Sequence, residues 1–153
     1  MKKTDLAYLA GIFDGEGCIV IHKRKTGKGM LHPGYHIEVN LANTNEWIVR
    51  QFQFSFGGNI YLRKKQTCQS RTIWAWQVSA RKALDFLAVI KAYLKLKRAQ
   101  AEIAITFQSS KTRGGSRPLS EKELAVAEAS KILISNLNKG KKAPKNGQNG
   151  EKP

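Results

Sequence analysis

Two acids, Asp14 and Glu16, stand between glycines in the stretch LAYLAGIFDGEGCI, residues 6–19. They fall at the C-terminal end of a segment that reads as a helix over 4–15. The helix macrodipole is already negative there, so each carboxylate is disfavoured by about 0.3–1 kcal/mol. The rest of the chain is strongly basic, with 27 Lys+Arg against 11 Asp+Glu and a formal net charge of +16. A divalent cation resolves the placement, because Mg2+ accepts one or two carboxylates and fills its octahedron with waters and phosphate oxygens. That chemistry is metal-assisted hydrolysis of a phosphodiester. The competing reading is structural, since Asp flanked by Gly is ordinary turn chemistry. The residues alone leave both open.

The helix before the acids is bare on one side. Ala7, Gly11 and Gly15 recur every four residues and so share a face. Two interior glycines cost about 1 kcal/mol each relative to Ala, which asks for a compensating close contact. A second copy of the helix across a two-fold axis meets that need. So does another helix of the same chain. In the symmetric case, two helix ends bring two carboxylates together, one for each strand of a duplex.

The elements around this helix follow from periodicity and punctuation. Thr4 is the expected cap of the first helix, with Asp5 favourable in its first turn. CIVIHKRK (18–25) and YHIEVNLAN (35–43) read as strands around a Gly- and Pro-containing loop at 26–34. In the second strand Ile37, Val39 and Leu41 share one face. A helix follows with Asn43 or Thr44 as its cap, ended by Gly57-Gly58. NIYLRKK (59–65) and RTIWAWQVSA (71–80) form a second strand pair around the polar loop QTCQS, and helices complete the chain, broken near Lys95–Leu96. SEKE, opened by Ser120, fits a capping box for the last helix. The expected fold class is α+β, in the order αββαββα with added helices: a four-stranded antiparallel sheet covered by helices on one face.

The other sheet face has a composition of its own. Alternation assigns to it His22 and Arg24, His36, Glu38 and Asn40, Tyr61, Arg63 and Lys65, and Ala75 and Gln77. Donors, acceptors and positive charge are mixed there, whereas a face needing only solubility favours Lys and Glu. Reading base edges calls for Arg at guanine, Asn or Gln at adenine and an acid at cytosine, which is the role expected of Glu38. Strands of about eight residues span roughly 26 Å, which matches about seven or eight base pairs of double-stranded DNA. An ordinary solvated sheet face is the alternative.

Bulk properties exclude several classes. A pI of about 10.1 points to a polyanion partner. No apolar run approaches the roughly 20 residues of a membrane span, and no basic amphipathic helix suits a membrane surface, so no membrane partner is expected. Acids and glycines interrupt the apolar N-terminal stretch, which argues against a signal peptide and for an intracellular protein of an organelle or a prokaryotic cytoplasm. Cys18 and Cys68 form no CxxC pair, and Cys18, His22, His32 and His36 match no common zinc-finger spacing. One domain is expected over 1–137, followed by a basic, disordered tail at 138–153.

LAGIFDGEG, Leu9 to Gly17, resembles the signature of the LAGLIDADG homing endonucleases, with its small residues and both acids in register. YLKLKRAQA (93–101) is similar to the segment after the sheet in the single-motif, homodimeric branch, and the resemblance covers about residues 5–137. One motif in a short chain implies a homodimer with Ala7, Gly11 and Gly15 at its interface. By the same resemblance Glu16 is the divalent-metal ligand for Mg2+ or Mn2+, Gly15 offers it a backbone carbonyl, and Asp14 is structural. The family commonly has Asp where this chain has Glu16. Lys97 matches a basic residue beside the scissile phosphate, and Asn43 lies near the family's water-organising polar residue. The implied activity is staggered cleavage of both strands of a long, near-palindromic DNA site, in the service of intron or intein homing. An RNA-splicing maturase acting on intron RNA, or a DNA binder without cleavage, is the alternative within the family. A structural ribosomal or chromatin protein is the alternative outside it, and gives no reason for the acidic helix end.

Overall fold

The structure is a computed structural model that describes residues 1–24, 33–63, 71–111 and 119–139. Its elements run α1 (Lys3–Glu16), β1 (Gly17–Arg24), β2 (Gly34–Asn43), α2 (Glu46–Phe56), β3 (Asn59–Leu62), β4 (Trp74–Ser79), α3 (Ala80–Ile90), a 3-10 turn (Lys91–Tyr93), α4 (Arg98–Ser109) and α5 (Glu121–Lys139). The expected αββαββα order with added helices is present. Lys65, part of the 26–34 loop and the QTCQS segment lie outside the described residues.

The strands form one antiparallel sheet in the order β1-β2-β4-β3. Its concealed face carries Ile19, Ile21, Tyr35, Ile37, Val39, Leu41, Trp76 and Val78, all buried. Period-two alternation sends these residues to one side, where helices cover them. Phe13 of α1, Phe52 and Phe56 of α2, Trp76 of β4 and Phe86 of α3 interlock as one aromatic cluster. The Phe13–Phe86 and Trp76–Phe86 centroids are each 5.1 Å apart in edge-on geometry, the arrangement that ring quadrupoles prefer. The cluster locks the C-terminal half of α1 to the sheet, and so fixes where Asp14 and Glu16 emerge.

Local chemistry sets the boundaries, with some changes from the sequence reading. Lys2, not Thr4, is the cap position of α1, and its backbone N–H donates to Asp5 Oδ2 at 3.2 Å. The cap of α2 is Asn45, whose side chain accepts from Trp47 N at 3.0 Å. Asn43 instead accepts from Asn45 N at 2.8 Å and closes the turn before the helix. Either Asx geometry satisfies an orphan amide, so spacing did not choose between them. Gly57 and Gly58 end α2 with φ of 69° and 93°, values that favour glycine. A Cβ on Gly58 would meet Val78 Cγ1 at 2.5 Å. Ser120 and Glu123 form the expected capping box, Ser120 N donating to Glu123 Oε2 at 2.8 Å.

Strand β1 is a sheet edge, and α5 guards it. Asn138 Nδ2 donates to Ile19 O at 2.8 Å, and Glu128 accepts from Lys23 Nζ at 2.5 Å and Tyr35 Oη at 2.6 Å. Covering an edge in this way blocks pairing with a foreign strand. Asn138, where the sequence changes composition, is thus still inside α5.

Candidate active site and nucleic-acid interface

Asp14 is the best-anchored acid in the molecule. It is buried, and its carboxylate accepts three backbone amides: Lys95 N at 2.6 Å and Leu96 N at 3.2 Å on Oδ2, and Lys97 N at 3.0 Å on Oδ1. Those amides lead into the N-terminus of α4, whose cap residue is Lys97. The acid that looked misplaced at the negative end of its own helix therefore sits at the positive end of another. Lys97 returns the contact, its Nζ donating to the Asp14 backbone carbonyl. The break between α3 and α4 and the end of α1 are thus one joint.

Glu16 differs in every respect. It is exposed and has no hydrogen-bond or ion-pair partner among the described residues. It is the last residue of α1, two residues from the carbonyl that holds the Lys97 ammonium. Gly15 beside it is also exposed. The donor set is a carboxylate and backbone carbonyls, all hard oxygens of the kind that bind Mg2+ or Mn2+. No cluster of three or more His, Cys, Asp or Glu suited to a metal occurs among the described residues. The set therefore fits a cation that draws its other ligands from water, phosphate and a second copy. It does not fit a closed single-chain cage. Asn43 ends β2, half-buried, with its carboxamide engaged in the turn.

The Gly11 and Gly15 face has no partner among the described residues. Both are exposed, and a Cβ added to either meets nothing within 4 Å. Ala7 is exposed on the same helix. This removes intrachain packing among the described residues as the reason for the small side chains. Beside α1 lies a hollow lined by Met1, Tyr8, Leu9, Trp47 and Phe54 together with Asp5, Gln51 and Ser55. Phe54 is 90% exposed and Trp47 57%. The sequence reading missed this patch, although the spacing of Trp47 and Phe54 by seven positions puts both on one side of α2.

The uncovered sheet face carries most of the expected residues. Cross-strand pairs His22–His36, Asn40–Gln77 and Tyr61–Ala75 fix its register. His22, Arg24, Tyr61 and Arg63 are exposed, and His36, Glu38, Asn40 and Gln77 are half-buried. Ala75 is a correction: it points to this face but is fully buried. Its methyl is short and lies beside the larger Tyr61 on one side and Ala42 on the other. Cys18, Val20, Ala42 and Asn59 share the face by register and were missed, though extending the alternation by one or two positions finds each. Cys18 links this surface to the helix end, because its thiol feels the positive charges of Lys97 and Arg63. Burial outweighs them and raises its pKa.

Comparison with known proteins agrees with this arrangement. The family model for LAGLIDADG endonuclease matches residues 9–97, from Leu9 at the start of the motif through Lys97. Among curated proteins, none matches the chain in sequence. Among solved structures, the homing endonuclease I-CvuI in complex with the I-CreI target, in Mg with its DNA not cleaved, is similar at 23% identity. The match has a TM-score of 0.72 and covers 92% of this chain and 86% of that one. The homing endonuclease I-TnaI is similar at 17% identity and a TM-score of 0.65, over 88% of this chain and 93% of that one. The archaeal intron-encoded homing endonuclease I-Vdi141I, complexed with DNA, matches at 11% identity and a TM-score of 0.56, over 86% and 99%. These likenesses share the fold. With the family model covering more than half of its length, the chain belongs to the LAGLIDADG endonuclease family.

Proposed function

We propose that this protein is a homodimeric, divalent-metal-dependent homing endonuclease that cuts both strands of a long, near-palindromic DNA site. The observation that carries the proposal is the contrast at the end of α1. One acid, Asp14, is spent on the joint with α4, while Glu16, two residues from the carbonyl that holds Lys97, stands exposed and without a partner among the described residues. A free carboxylate on a chain of charge +16 has no evident structural use.

In this reading Glu16 and the Gly15 carbonyl hold Mg2+ or Mn2+, which when bound supplies an activated water and charge neutralisation at phosphorus. Lys97 brings positive charge to the scissile phosphate and stabilises the charge that develops there. Asp14 positions Lys97. Asn43, at the end of β2, orients water through whatever donor capacity its turn leaves free. The second copy docks along Ala7, Gly11 and Gly15, with Trp47 and Phe54 closing the rim. A glycine face without a partner among the described residues, and exposed Trp47 and Phe54 beside the same helix, support that contact. Each copy then lays its open sheet face in the major groove of one half-site, with Arg24, Arg63, His36, Asn40, Tyr61 and Gln77 as the reading set.

Selection from a randomised duplex library with Mg2+ tests this directly. A single two-fold-symmetric cut site is expected, with cutting lost and binding kept in Glu16→Gln. Binding to intron RNA without DNA cleavage would favour a maturase instead.

A further inference from the structure

The open sheet face contains one cluster whose chemistry depends on protons. Glu38 Oε1 lies 3.3 Å from His22 Nε2 and 3.5 Å from Asn40 Nδ2. The carboxylate is 17% exposed, and the His22 side chain 50%. One oxygen of Glu38, Oε1, is therefore turned along the sheet toward His22 and Asn40. His22 faces His36 directly across the β1–β2 pairing, with ring centroids 5.7 Å apart and an interplanar angle of 31°.

We propose that His22, held by Glu38, is a base reader whose preference reverses with protonation, and that Glu38 is a positioning residue for it. The inference rests on the DNA-reading role given to this face above. With Nε2–H directed at Glu38, a neutral His22 presents Nδ1 as an acceptor. An acceptor suits the exocyclic amine of adenine or cytosine. After protonation the same nitrogen is a donor and suits O6 or N7 of guanine. The ring stays in place, so one geometry reads opposite base edges on the two sides of the imidazole titration.

The two rings differ in their surroundings. Burial pushes His36 toward its neutral form, and His22 and Arg24 reinforce this, with Lys111 beyond α4 adding to it and Glu38 opposing. The charged groups acting on His36 are thus Arg24 on β1, Glu38 on β2 and Lys111 after α4. The single carboxylate among them lies against His22. Asn40, its amide drawn to the same oxygen, is left with its carbonyl as the free end.

The test is binding selection on duplexes varied one base pair at a time, at about pH 6 and about pH 8, either side of the imidazole range. Ca2+ replaces Mg2+ so that DNA is bound without being consumed. The wild type is expected to shift toward guanine at one base-pair position per half-site at the lower pH. The shift should be about fivefold or more, the lower end of what one good base contact discriminates. His22→Gln should abolish the shift, Glu38→Gln should shrink it, and preferences elsewhere in the site should hold in both. A wild-type profile that stays sequence-specific but identical at the two pH values overturns the proposal. So does a full shift in Glu38→Gln, which would remove the positioning role. Absence of any sequence-specific binding by the wild type overturns the endonuclease reading itself, and this inference with it.

Discussion

Asp14 and Lys97 hold each other twice: the Asp14 carboxylate accepts the Lys97 backbone amide at 3.0 Å, and the Lys97 ammonium donates to the Asp14 backbone carbonyl. The pair spans more than 80 positions of sequence and ties the end of α1 to the start of α4. It sets the one candidate catalytic cation against the one free acid of the motif, so the two acids separated by a single glycine should behave differently when changed.

Asp14→Asn should be a stability mutant. It keeps the shape but removes the charge that strengthens three amide hydrogen bonds. Bonds to charged groups contribute about 1.5–3 kcal/mol, so a loss of about 1–3 kcal/mol in chemical denaturation is expected. Cutting should fall as well, because Lys97 loses its anchor.

Glu16→Gln should leave stability within about 0.5 kcal/mol, as is usual for an exposed side chain without partners. Cleavage with Mg2+ or Mn2+ should disappear while DNA affinity stays near that of the wild type. Equal cutting by the variant, measured on a selected site, rejects its role as metal ligand.

Gly11→Leu should separate folding from association. A Cβ at Gly11 meets nothing within 4 Å among the described residues, and replacing an interior glycine by a helix former adds up to about 1 kcal/mol of helix stability. The variant should therefore melt no lower than the wild type as a monomer, yet sediment as a monomer where the wild type is a dimer. An unchanged dimer would move the interface off this face.

Gly58→Ala should destabilise strongly, because the backbone there has φ of 93° and the new methyl meets Val78 Cγ1 at 2.5 Å. Left-handed strain alone costs about 1–3 kcal/mol for a non-glycine residue. A thermal midpoint unchanged by this substitution would contradict the observed turn.

The Glu128 ion pair gives a signed pH dependence. Hydrogen bonds from Lys23 and Tyr35 draw its pKa down from the ordinary 4.5 to about 2. A depressed carboxylate contributes stability above its unfolded value and loses it as pH falls toward the folded one. The advantage of wild type over Glu128→Gln in thermal midpoint should thus be constant above about pH 5 and shrink between about pH 4.5 and 2. The side chains are one-third or more exposed, so solvent screening keeps the effect small.

The sequence by itself determined the order of elements, the helix-covered face of the sheet and most of its open face. Those follow from periods of 3.6 and 2, which are local properties of the chain. It also marked the glycine face and the two acids as needing explanation. Local signals did not choose which Asx residue caps α2, since Asn43, Thr44 and Asn45 all have the required oxygen within reach. They also gave no warning that Ala75, in phase with the open face, would be buried beside Tyr61. Tertiary structure decided what needed partners distant in sequence. Asp14 is structural because the amides of Lys95, Leu96 and Lys97 fold back onto it, and Glu38 is occupied because β1 brings His22 alongside. Gly11 and Gly15 stay bare because no other element comes near them. A residue's type and spacing fix what its side chain can do, and only the packed chain fixes which of its valences are already used.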